Sequence, residues 1–376
     1  MRRTGQNPGR RAQFRWLLAG LVLLALVGLD FAARNLYLAI RQAPHGRVYH
    51  PVYDHGYRPN YEWIDKYGTW RAKFYSNSLG FRDGRIREVP PQAEHPRILF
   101  IGDSFTEGVG IPWEETFAGR MEANLKPRGI EVLNAGVMSY TPILAKAKVR
   151  FLIEEEGLEF GRLVLFLDMS DIKDELFYRE DERGHIRLIP YGPFASEAGW
   201  GTWVEYFGEF SENVIEPNFA VIGALSRNLK IHLRKITRKE LGLRGAFTTL
   251  PDWILYWEKE NAPDREIAEQ GIAKLQKTLS ELAGYLREKG IPMTLVVYPW
   301  QNYPRPAQGE TRMQSIWKAW AAREKVDYLD LFPVFAGCDP ISDWFIPGDC
   351  HWNARGHALV AETLMKNPDK ILPPKP

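Results

Sequence analysis

The chain has 376 residues, 45% hydrophobic and 26% charged, which suits a folded protein of one large domain with insertions or two modest ones. Its formal net charge is +2, and five arginines (Arg2, Arg3, Arg10, Arg11, Arg15) precede residue 16 with no acid among them. Acidic residues slightly outnumber basic ones in the remainder, which argues against a general nucleic-acid binder.

The arginines lead into WLLAGLVLLALVGL, residues 16–29, an uncharged run that Asp30 interrupts. Fourteen residues are short for a span, which needs about 20, and resemble a signal-peptide core. A cleavage site after Ala33 or Ala32 would put Phe31 or Asp30 where a small residue belongs. A retained single-pass signal anchor over 1–41 is therefore favoured over a cleaved signal. The arginines place its N-terminus in the cytoplasm and the remainder of the chain outside, which in a bacterium means the inner membrane and periplasm.

Residues 42–95, rich in Tyr, Pro, Arg and Gly, read as short strands and turns forming an extension without its own core. From residue 97 the pattern is regular. Apolar runs at 97–102, 130–136, 162–168, 293–299 and 326–332 predict buried strands, and helices are predicted at about 113–127, 140–156, 264–289 and 309–324. Such alternation implies an α/β domain over 96–370, a three-layer α/β/α flavodoxin-like arrangement around a parallel sheet. An insertion at about 176–262 breaks it. This insertion holds Trp200, Trp203, Tyr206, Phe207 and Phe210, then a helix with Val221, Leu225, Leu229, His232 and Ile236 on one face. Six basic residues and no acid lie between Arg227 and Lys239. That helix suits either a lid packed on the domain or contact with an anionic membrane surface.

In a parallel sheet, ligands bind beyond the carboxyl ends of the strands, where ILFIGDSFTEG (98–108) places Ser104. A hydroxyl nucleophile needs a base, a group to orient that base, and oxyanion donors. Of eight histidines, His351 and His357 follow the last predicted strand, and Asp349 stands two residues before His351. In an extended loop those two side chains share a side, which suggests a Ser104–His351–Asp349 triad. His357, in the next helix, is expected to pack or cap. Trp300 and Gln301 end a strand at this edge and are candidate pocket residues, as is Trp352 beside His351. Cys338 and Cys350 could form a disulfide outside the cytoplasm or remain thiols. No spacing suggests a metal, and no organic cofactor is indicated.

These blocks resemble the SGNH/GDSL hydrolase superfamily. IGDSFTEG matches its nucleophile block, LNAGV its second block with Gly136, and PGDCHWNARGH its acid–histidine block. The D-x-H-W form, with the anchor and NSLGFRD, resembles the alginate O-acetyltransferase-like branch of bacterial envelope proteins. The third block departs: the usual Gly-x-Asn-Asp is replaced by LDMSDIKDE, with Asp168 and Ser170 where glycine and asparagine would fall. The resemblance implies an oxyanion hole from the Ser104 and Gly136 N–H groups, with Ser170 as a weaker donor. It also implies an anchored serine esterase or O-acyltransferase acting on acyl, most plainly acetyl, esters of an envelope polysaccharide or a small ester, alongside envelope-glycan assembly proteins. The alternatives are a non-catalytic glycan-binding or assembly protein of the same fold, or a lipid esterase.

Overall fold

The computed structural model describes residues 8–40, 46–67, 70–189, 211, 215, 218–219, 221–240, 265–301, 303, 309–338 and 340–374. The aromatic cluster at 200–210 lies outside the described residues. Contacts divide the chain into two compact units: Met1–Pro44 with Phe194–Ala246, and His45–Pro193 with Phe247–Pro376.

The described part of the first unit is mainly two helices. Helix α1 (Pro8–Ile40) runs unbroken through Asp30, and its stretch Trp16–Ala33 has a mean hydropathy of 2.2 with none of it buried. The helix is long and apolar enough to cross a membrane. Asp30 is not an interruption, because its carboxylate accepts the Val221 and Ile222 amides at 2.7 and 2.9 Å. Those are orphan N–H groups of the first turn of a second helix, Val221–Glu240, labelled α6 below. Gly223 and Ser226 form the buried face of that helix, whereas Val221 and Leu225 remain more than 60% exposed.

The second unit is built on an eight-stranded mixed sheet, not the purely parallel one expected. In chain order it contains β1 (Arg47–His50), β2 (Asp54–Tyr57), β3 (Glu62–Tyr67), β4 (Trp70–Ser76), β5 (Arg82–Asp83), β6 (Arg97–Ile101) and α2 (Ser104–Glu107). Then come α3 (Phe117–Leu125), β7 (Glu131–Asn134), α4 (Pro142–Glu154), β8 (Arg162–Leu167), α5 (Ser170–Asp174), β9 (Tyr178–Glu180) and β10 (Ile186–Leu188). After α6 follow α7 (Arg265–Glu288), β11 (Met293–Val297), α8 (Arg312–Glu324), β12 (Asp327–Asp330), α9 (Phe332–Ala336), α10 (Ala354–Met365) and α11 (Pro368–Ile371). The sheet order is β12-β11-β8-β6-β7-β5-β4-β3. The first five strands are parallel and correspond to the five predicted apolar runs. Numbered along the chain, those five have the 2-1-3-4-5 order of flavodoxin-like folds.

Strand alternation sorts the parallel core into two layers. Leu99, Ile101, Leu133, Leu163, Leu165 and Leu295 face α4, α7 and α8. Ile98, Phe100, Val132, Val164, Phe166 and Val296 face α3, α10 and α11. Burial on both faces is why these strands read as continuous apolar runs.

The extension at 42–95 does more than expected. Its strands β3, β4 and β5 continue the main sheet antiparallel beyond β7, joined there by the Arg82–Asn134 pair. They pack their own aromatic residues, with Trp63 stacked on Phe74 at 3.9 Å. Inside the expected insertion, β9 and β10 form a hairpin that belongs to this second unit, with the Ile186 amide on Val52 O.

Candidate active site

The carboxyl end of β6 turns sharply at Gly102, where an added Cβ would collide with Thr106 Oγ1. Asp103, not Ser104, is the cap: its Oδ1 accepts the Phe105 amide at 3.0 Å. Ser104 is the first residue of α2, and its hydroxyl is left for another partner. Gly108 closes the short helix in the left-handed region, at φ 84°.

That partner comes from 247 residues away. Ser104 Oγ lies 2.6 Å from His351 Nε2, and His351 Nδ1 lies 2.5 Å from Asp349 Oδ1. An ionised carboxylate only accepts, so the proton sits on Nδ1 and leaves Nε2 to accept from the serine hydroxyl. The loop is braced: the His351 amide donates to Asp349 Oδ1, and Ile346 N donates to His351 O. Asn353 then caps α10 by accepting from the Arg355 and Gly356 amides. Burial works against ionisation of Asp349, but the hydrogen bonds and charge of His351, with help from the Tyr67 hydroxyl, hold its carboxyl at about 2.

The other expected residues divide. Gly136 approaches α2 so closely that a Cβ would lie 2.8 Å from Glu107 N and from Thr106 Cβ. Its N–H, expected as an oxyanion donor, is instead given to Asn134 Oδ1 at 3.0 Å. The Asn134 amide in turn donates to Thr106 O, tying the β7 turn to the nucleophile helix. Ser170 donates both its amide and its hydroxyl to Asp168 Oδ1, at 2.7 and 2.6 Å. The replaced third block is thus a closed turn organised by Asp168, which also accepts Trp300 Nε1 at 2.5 Å. Burial pushes Asp168 above the usual carboxylate range. Asp103, hydrogen-bonded by the Tyr298 hydroxyl, is pushed well above it by burial and then by the charge of Asp168.

Trp300 and Gln301 are partly exposed at this edge, as a pocket lining requires. Trp352 is not: it is 0% exposed and packs against Phe105, Phe117, Tyr298 and Phe335, so it supports His351 from the core instead of meeting a substrate. His357 packs as expected, its Nδ1 accepting the Phe117 amide. No disulfide joins Cys338 and Cys350. The Cys338 thiol, just beyond α9, faces Val334 O of that helix, while Cys350 Sγ lies 3.6 Å from His351 Nδ1. Burial, then the charge of Asp349, pushes the Cys350 thiol up and keeps it protonated. Asp349, Cys350 and His351 offer ligand atoms within 4.8 Å of one another, yet both imidazole nitrogens are already committed to Asp349 and Ser104.

Two residues of the extension reach this centre. Arg82 is buried and donates to the carbonyls of Glu107, Gly108 and Ile111, clamping the turn that ends α2. The next residue, Asp83, binds Arg87, so the GFRD segment both reaches the site and forms a salt-bridged turn. Tyr67, at the end of β3, places its hydroxyl 2.9 Å from Asp349 Oδ2 and 2.9 Å from His351 Nδ1. Sequence reading missed Tyr67 altogether, because one tyrosine in a segment rich in them carries no spacing signal.

Residues 248–372 match the family described as "SGNH hydrolase-like domain, acetyltransferase AlgX". The match covers the C-terminal third of the chain, which carries Asp349 and His351 but not Ser104. No curated protein matches the chain. Among solved structures, the chain is similar to the psychrotrophic esterase EstA of Pseudoalteromonas sp., at 13% identity and TM-score 0.37 over 73% of this chain and 97% of that one. It is also similar to a lipolytic protein of the G-D-S-L family from Desulfitobacterium hafniense, at 13% identity and TM-score 0.37 over 72% and 99%. A third is a two-domain esterase active on acetylated mannans, at 15% identity and TM-score 0.37 over 75% and 52%.

Proposed function

We propose that this protein is a membrane-anchored, extracytoplasmic serine esterase or O-acyltransferase that acts on acyl esters of an envelope glycan. The observation that carries this reading is the continuous chain Ser104 Oγ–His351–Asp349, assembled from the first and last loops of the parallel core. His351 Nε2 takes the Ser104 proton as Oγ attacks the acyl carbon, and Asp349 steadies the imidazolium that forms. As the ester C–O bond breaks, the imidazolium protonates the departing alkoxide, leaving an acyl-serine. Water or a sugar hydroxyl then attacks that acyl group and gives its proton to His351. As the tetrahedral intermediate collapses, the proton returns to Ser104. Acetyl cargo is supported by the acetyltransferase family match over residues 248–372, and a polysaccharide substrate by the resemblance of the Asp-x-His-Trp block to the alginate O-acetyltransferase-like branch.

A second reading, a non-catalytic glycan-binding protein of the same fold, is favoured by the closed turns at Gly136 and Ser170. Two of the three expected oxyanion donors, the Gly136 N–H and the Ser170 hydroxyl, are held by side-chain oxygens, and a missing donor typically costs about 100–1000-fold in rate. Hydrolysis of an acetyl ester by the full-length chain, beside Ser104→Ala, decides between the two. Activity lost on substitution supports the enzyme; equal rates in both proteins exclude Ser104 as nucleophile.

The arginine cluster before the apolar stretch Trp16–Ala33 supports a cytoplasmic N-terminus with the α/β unit outside. The exposed Val221, Leu225 and Leu229 of α6, whose first turn Asp30 of α1 caps, support contact of that helix with the lipid surface more than a lid. Reporter fusions after residue 40 test the orientation; activity of a cytoplasmic reporter there overturns it.

A further inference from the structure

We infer that Tyr67 is a positioning residue of the acyl-transfer centre, its hydroxyl holding Asp349 and His351 in the arrangement that lets His351 take the Ser104 proton; this role rests on the serine-nucleophile reading above. A carboxylate has two oxygens, and rotation about its last bond exchanges them unless both are held. Asp349 Oδ1 is held by the amide and the Nδ1–H of His351. Oδ2 is held by the Tyr67 hydroxyl at 2.9 Å. The same hydroxyl oxygen lies 2.9 Å from His351 Nδ1, so it can share the imidazole proton while donating its own to Asp349.

The ring is as constrained as the hydroxyl. It stands edge-on to the His351 imidazole, with centroids 5.3 Å apart and planes at 89°. Gly110 passes close to its other side, where an added Cβ would lie 3.3 Å from Tyr67 Cδ1. Gly110 also has φ 73°, a conformation that a side chain disfavours, so the wall that seats the ring is hard to alter. Burial, then the charge of Asp349, raises the phenol, so Tyr67 keeps its O–H bond through every step. The proton that moves is that of Ser104, and Tyr67 contributes orientation alone.

Tyr67 ends β3, outside the segment that matches the hydrolase-like family. The antiparallel extension is therefore part of the site's support, through Tyr67 on the acid–histidine loop and Arg82 on the nucleophile turn.

The test uses the full-length chain in detergent with p-nitrophenyl acetate, comparing wild type, Tyr67→Phe, Ser104→Ala, Asp349→Asn and the Tyr67→Phe/Asp349→Asn pair. A hydrogen bond to a charged group suggests that Tyr67→Phe lowers kcat by about 10- to 100-fold. KM should stay within about twofold, and phosphonylation of Ser104 by a fluorophosphonate should slow by the same factor as kcat. In the Asp349→Asn background the Tyr67 substitution should cost almost nothing further, because the group it orients is gone. A similar loss in both backgrounds, or a loss confined to KM, would mean general structural damage and overturn the role. A Tyr67→Phe rate within twofold of wild type also overturns it, while an inactive Ser104→Ala leaves the nucleophile standing. If Ser104→Ala keeps full activity, the serine reading falls and the Tyr67 role falls with it.

Discussion

The five parallel strands and the three antiparallel strands that continue them follow different sequence logic. Strands β6, β7, β8, β11 and β12 are covered by helices on both faces, and β6, β8 and β11 are buried at every position. Strand β1 of the preceding hairpin alternates between exposed and half-buried, and β5 is two residues long. The first group supplies a sheet edge on which loops carrying Ser104 and His351 converge. The second delivers single side chains to it, Arg82 to the end of α2 and Tyr67 to Asp349. A short, polar, aromatic segment can therefore matter to a site as much as the core does, through single buried side chains.

Several substitutions would break or sharpen that contrast. The largest effect belongs to the core edge: Ser104→Ala should lower ester turnover by about 10⁴-fold or more, read as kcat/KM, with thermal stability retained. Next are paired stability losses. Trp352→Ala removes a fully buried aromatic from the core and should cost about 3–5 kcal/mol by denaturant unfolding. Arg82→Leu, in the extension, strands three buried carbonyls and should cost about 3 kcal/mol, comparable with the core substitution. A loss below about 0.5 kcal/mol for Arg82→Leu would reduce the extension to a surface ornament.

The pH dependence is smaller and gradual. Burial first, then the charges of Arg82 and other nearby cations, lower His357 to about 3. Its folded pKa lies below the roughly 6.5 of an exposed imidazole, so on acidification the unfolded chain takes a proton that the folded chain refuses. The stabilisation is complete above about pH 6.5 and is lost as pH falls toward about 3. His357→Gln should flatten the slope of stability against pH over that window; an unchanged slope would remove His357 as its source. The smallest effect is a gain. Ser170→Asn restores the amide expected in the third block and should raise turnover by about 10-fold, and an unchanged rate would show that this turn does not face the oxyanion.

The parallel strands, α3, α4, α7 and α8 were legible because apolar period and length record burial directly. The Ser104–His351–Asp349 grouping was legible because loops at one sheet edge must meet, and few histidines follow the last strand. The donor roles of Gly136 and Ser170 were not. Whether an N–H points toward a substrate or into its own turn depends on side-chain rotamers at Asn134 and Asp168, which composition does not record. The pairing of Cys338 with Cys350 was chemically reasonable, but the fold turns the first thiol toward Val334 O. The purely parallel sheet failed because edge strands two to seven residues long carry little periodicity.

What sequence alone determined is the part written in repeated or spaced residues: the apolar N-terminal helix after its arginines, the strand–helix alternation, and the Gly-Asp-Ser turn with its distant Asp-x-His. Tertiary structure alone decided which groups are already engaged. It spends the Gly136 amide and the Ser170 hydroxyl inside their own turns, hides Trp352 in the core, and brings Tyr67 to within 2.9 Å of Asp349 across 282 residues. The reason is physical: burial and periodicity are averages over many residues, whereas a hydrogen bond depends on the position of two atoms.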